Sequence, residues 1–187
     1  MVLLISKLGA AESQLIEAVK LFFEERDPIS IHTLASAASQ IVQDHFNEQD
    51  AQKYQLFLHH DYPSPEDRKR IHDDKRRVAN FLKHADRDRN AKLEFNPKDT
   101  ETDIADAIRC LGILKGIKYA MSIPELHAFD LWFFIQSRAQ NMHLPIKNEE
   151  LYEIFKDRKK AGYLEVIETF RKNPEIAESM ELQNETN

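Results

Sequence analysis

Apolar residues return along most of this chain at steps of three and four, the spacing that keeps them on one face of an α-helix. Leu8, Ala11, Leu15, Ala18, Val19, Phe22 and Phe23 form the first such stripe. Asp27-Pro28 then reads as a restart, with Asp at the N-cap and Pro at the first helical position. The pattern predicts a helix from about Pro28 to Phe46. It is rich in small residues (Ala35, Ser36, Ala37, Ala38, Ser39), which let a neighbour approach closely and suit a central position. Residues 47–63 read as a connection. Ser64-Pro65-Glu66-Asp67 repeats the start signal, with two acids at the positive end of the helix dipole. Helices are expected over 65–85, over 99–120 with Ile104, Ala107, Ile108, Leu111 and Leu114 in one stripe, and over 124–140. The run from Leu126 to Ile135 is the most apolar in the chain and is expected in the core. Residues 148–172 predict one or two amphipathic helices broken near Gly162.

Strand signals are weak. The expected class is therefore all-α: a single helical bundle of five to seven helices over residues 1–172, with one irregular loop near 86–97. Residues 173–187, with Glu175, Glu178, Glu181 and Glu185, read as an acidic, flexible tail.

Composition narrows the chemistry. Four glycines in 187 residues leave no GxGxxG or GxxxxGK[ST] phosphate loop. A single cysteine, Cys110, excludes an intramolecular disulfide and a Cys-based zinc site. No apolar run approaches the roughly 18 residues of a membrane span. The opening Met1–Ile5 is short for a signal peptide and lacks a basic stretch, so a cytoplasmic protein is the expectation. Net charge is −6, which argues against broad nucleic-acid binding, and no DNA partner is expected. The charge is uneven, however. Residues 66–92 hold ten Lys/Arg against six Asp/Glu, and this basic segment is the place where RNA could bind.

The 65–85 helix carries the main candidate site. At about 100° per residue, Ile71, Val78, Phe81, Leu82 and Ala85 share an apolar face. Asp73, Arg77, Asn80 and His84 fall on a second stripe. His84 can move a proton near neutral pH. Arg77 or Arg76 can clamp a phosphate. Asn80 can orient the imidazole or a ribose hydroxyl.

This set, Arg77-x6-His84 with Asn80-x3-His84 in an all-α chain, resembles the signature of HEPN domains. Members of that family are small helical bundles, often dimeric, and many are metal-independent endoribonucleases of toxin–antitoxin and phage-defence systems. The resemblance implies a cleft formed by paired Arg and His residues of two subunits, acting on the ribose 2′-hydroxyl and the scissile phosphate. His84 would then be the acid/base and Arg77 the phosphate clamp. Ala79, rather than Arg, directly precedes Asn80, a departure from the tighter form of the pattern. The wider block Asn80–Asp88, followed by Glu94-Phe-Asn-Pro97, is similar to small bacterial proteins of no known function, which adds no chemistry.

The loop after this helix places Asp86, Asp88 and Asn90 at alternate positions, as in an EF-hand. Ala91 stands where Gly makes the sharp turn, and Pro97 where a Glu closes the shell. The three residues also suit a turn without any ion. His32, His84 and His127 lie on three helices and raise a three-His metal site, although no His-x3-His pair occurs. No cofactor is implied.

Three functions follow. The first is a non-catalytic interaction domain, expected as a homodimer through an apolar helix face. The second is a HEPN-like endoribonuclease using Arg77, Asn80 and His84. The third is a calcium-stabilised helical protein using loop 86–94.

Overall fold

The computed structural model describes residues 2–47, 64–84, 89–140 and 149–176. Within them the chain is all-α, with no strand. The helices are α1 (Lys7–Phe23), α2 (Pro28–Gln43), α3 (Pro65–Lys83), α4 (Asp99–Lys115), α5 (Ile117–Met121), α6 (Pro124–Gln140), α7 (Glu149–Phe155) and α8 (Tyr163–Lys172), with a 3-10 turn at Lys160–Gly162 before α8. Eight α-helices among the described residues exceed the five to seven expected, because the expected 99–120 helix is divided while the break expected near Gly162 is also present. The 99–120 helix breaks at Gly116, whose φ of 103° is a left-handed conformation costly for residues with a Cβ. The C-terminal pair is parted by the turn ending at Gly162. Among the described residues no helix is long and apolar enough to cross a membrane.

The start signals read at Asp27 and Ser64 are helix caps, and Ser6, which the pattern did not single out, is a third. Ser6 Oγ accepts from the Gly9 amide at 3.0 Å, Asp27 Oδ2 from Ser30 at 2.8 Å, and Ser64 Oγ from Asp67 at 3.1 Å. Each satisfies an amide that the helix itself leaves unbonded.

The stripe of α1 buries Leu15, Ala18, Val19 and Phe23 completely or nearly so. The small-residue helix α2 is central: it packs against α1, α3 and α4, and Ala35 and Ala38 are fully buried. Helix α6 inserts Leu126, Phe129, Trp132 and Ile135 into the core. Phe22 and Trp132 meet edge to face at 4.7 Å, and Phe23 stacks on Tyr163 at 5.3 Å. Phe134 departs from the expectation that its whole run is core. It lies on the outer side of α6, 44% exposed.

Glu125 and Lys160 are both paired. Glu125, at the start of α6, accepts from Arg171 of α8 and lies 3.6 Å from Lys20 of α1. Lys160 sits over the Phe22 ring, 3.7 Å from its centroid, and reaches Glu101 at 3.4 Å.

A polar cleft between helices α2 and α3

Helix α3 differs from every other long helix in burying no residue. Ile71, Val78 and Leu82 are half-buried, and Phe81 is exposed. The face turned toward α2 is instead polar. His72, Lys75, Arg76, Ala79, Asn80 and Lys83 recur at steps of three and four, and with α2 and α4 they enclose a cleft of about 280 Å³. Ser36, Ser39, Gln40 and Gln43 form its α2 wall, and Asp103 of α4 contributes at its base.

One ion pair anchors this arrangement. Lys75 Nζ donates to Asp103 Oδ1 at 2.5 Å, and Asp103 is 3% exposed. Beneath it His32 Nδ1 lies 3.0 Å from Thr100 Oγ1 and 4.0 Å from Asp103 Oδ2. Gln43 Nε2 donates to Asp106 Oδ2 at 2.6 Å and to Ser39 Oγ at 2.9 Å, bracing the wall. Asp103 neutralises one cation. Arg76 and Lys83 make no ion pair among the described residues. Burial and the neighbouring Arg76 guanidinium hold the His72 imidazole below its ordinary value, so near neutral pH it acts as a hydrogen-bonding group. Cations, a carboxamide, hydroxyls and an imidazole around one opening are the donors that an oxyanion or a phosphate requires.

The residues singled out from sequence divide. Asn80 lines the cleft. Arg77 does not. It points to the other side of α3, 3.7 Å from Asp74 and exposed. His84 caps the helix with extended backbone, its amide bonded to the Asn80 carbonyl at 3.0 Å, and its side chain is exposed. Asn90 is exposed in a turn, while Asp86 and Asp88 lie outside the described residues. Among the described residues no group of three His, Cys, Asp or Glu side chains is placed to hold a metal ion. Lys75, His72, Lys83 and Asp103 were missed, although the first three stand at helical spacing with Arg76 within the basic segment.

No family model, curated protein or solved structure matches this chain.

Two buried histidines, His32 and His127, act on stability. His127 is 6% exposed, stacks on Phe170 at 4.6 Å and bonds to the Met121 backbone. Burial holds His127 and His32 below the ordinary 6.5. The unfolded chain therefore takes up protons at a higher pH than the folded one. Their contribution to stability is complete above about pH 6.5 and is lost as the pH falls through and below it. Melting temperature is expected to drop between pH 7.5 and 5.5, and less so in His127→Phe, which keeps the stack on Phe170. Equal drops in the two proteins would remove His127 as a cause.

Proposed function

We propose that this protein is a non-catalytic helical interaction domain that binds single-stranded RNA by its phosphates, with the α2–α3 cleft as the anchoring point. The observation that carries this reading is the placement of Arg76 and Lys83 on one face of α3, opposite the neutral donors of α2 and without carboxylate partners among the described residues. On the outer side of the same helix Arg70 lies 3.2 Å from Asp67, and Arg77 is similarly close to Asp74. Arg76 and Lys83 thus differ from these outer arginines in having no carboxylate partner among the described residues. Contacts of this kind read backbone charge rather than base sequence and weaken steeply with salt.

The test is fluorescence anisotropy with a labelled oligoribonucleotide at low and moderate salt. The wild-type protein is expected to bind in a salt-dependent manner, and Arg76→Glu/Lys83→Glu to lose at least tenfold in affinity. Arg70→Glu should change little. No binding at low salt, or equal loss in both variants, would overturn the reading.

A second reading is favoured by the position of His84, one turn beyond Asn80 and solvent-facing. In a HEPN-like endoribonuclease His84 would move the proton and Arg77, or Arg76, would hold the phosphate. The same oligonucleotide decides between the two readings. Cleavage that survives EDTA and disappears in His84→Ala establishes the enzyme; intact RNA in the bound complex leaves the binding domain.

A further inference from the structure

Among the described residues, the three most exposed large apolar side chains, Val2, Leu3 and Leu4, are consecutive and are followed by the exposed Ile5. Val2, Leu3, Leu4 and Ile5 are 98%, 76%, 104% and 61% exposed and precede α1 without regular structure. Four consecutive large aliphatic side chains in water are a strong departure from what an isolated domain tolerates. Their root is held beside α5: Glu12 Oε2 accepts from Lys115 at 2.6 Å and from the Tyr119 hydroxyl at 2.9 Å. Next to it, α4, α5 and α6 enclose a groove of about 500 Å³ with Ile113, Ile117, Met121 and Phe133 on its walls. Gly112 and Ala120, among the smallest residues available, also line it and leave it open. Asp130 is its exposed carboxylate and makes no ion pair among the described residues.

We propose that the segment Val2–Ile5 of one copy of this chain docks in the α4–α5–α6 groove of a second copy, and that the exchange is reciprocal. Four extended residues reach about 14 Å, enough to leave one copy and enter a neighbour's groove. Area supports a dimer. One arm offers on the order of 600 Å², so two arms and the grooves they cover pass the roughly 1,200 Å² at which specific interfaces begin. One charge pair is available to the same docking: Lys7, exposed at the base of the arm, and Asp130, an exposed carboxylate of a groove lining that also carries the exposed Arg109. Two-fold exchange covers both arms and both grooves at once and closes the assembly, whereas a foreign partner would leave one feature of each copy bare. This inference stands apart from the cleft and from RNA.

Light scattering after size exclusion reads the outcome on the full-length chain. The expected mass is twice 21.9 kDa. Leu4→Asp in the arm and Ile117→Asp on the exposed wall of the groove should each weaken dimerisation at least tenfold. Both positions are solvent-facing, so each variant should keep the wild-type circular dichroism spectrum. Lys7→Glu and Asp130→Lys should each weaken the dimer, and the double variant should restore it. Leu4→Cys/Ile117→Cys should form a disulfide between chains, since the native Cys110 is buried and does not compete. A monomer at sub-millimolar concentration, a dimer indifferent to Leu4→Asp, or a cross-link within one chain would each overturn the proposal.

Discussion

Phe23→Ala is expected to lower the stability of this protein by about 4 kcal/mol, the largest effect of any single substitution considered. Phe23 is fully buried at the end of α1. Its ring stacks on Tyr163 at 5.3 Å, meets Phe22 at 5.4 Å, and lies 6.2 and 6.4 Å from Phe129 and Trp132. It therefore joins three helices, α1, α6 and α8, at one point. Truncation removes the transfer free energy of the ring and leaves a void lined by rigid aromatic side chains, which collapse poorly. For a chain of this length the melting temperature should fall by about 10 °C. Phe23→Leu, which keeps most of the volume, should cost about half as much. A melting temperature within a degree or two of wild type for Phe23→Ala would show that these rings do not form the centre of the core.

The second large effect is expected at the cleft. Asp103→Ala removes the acceptor of Lys75 and leaves an ammonium group in a partly buried position, its side chain only 27% exposed. Breaking a buried pair from one side costs about 3–5 kcal/mol. Here water still reaches Lys75, which places the loss nearer 2–3 kcal/mol. The consequence is local before it is global. Helix α3 buries no side chain and packs chiefly on α2, so its attachment to α4 depends on this ion pair. Amide hydrogen exchange should accelerate across α3 while α1 and α6 stay protected. The RNA affinity proposed for the cleft should fall as well, because Lys75, Arg76 and Lys83 lose their common orientation. Uniform acceleration over the whole bundle would show that Asp103 supports the core generally rather than docking α3. Lys75→Met/Asp103→Leu should recover much of the stability without restoring the cleft.

Most of the architecture is legible in the residue pattern, for local reasons. The Asp27-Pro28 and Ser64-Pro65 pairs mark helix starts because capping chemistry acts within one turn. The stripes of α1 and α6 mark buried faces because burial follows a period of 3.6. The division at Gly116 was not legible. A glycine inside a helical pattern is compatible with continuation, and only packing of Ile117 and Ala120 close to Gly112 selects the left-handed turn.

The candidate site was half legible. The basic segment and Asn80 were visible in the sequence, and periodicity alone placed Arg77, Asn80 and His84 along one stripe. A stripe on an isolated helix does not say which way the helix faces. That direction was set by Asp103, 28 residues from Lys75 in the chain and in contact with it across space. It turns Lys75, Arg76 and Lys83 toward α2 and leaves Arg77 on the far side with Asp74. Composition and periodicity thus determined an all-helical chain, the starts of its helices and the segment that carries its excess positive charge, since each depends on neighbours a few residues apart. The tertiary structure alone decided which cations meet at the cleft and which apolar side chains remain uncovered at the arm and groove. Both depend on the rotation and pairing of whole helices, which long-range contacts settle.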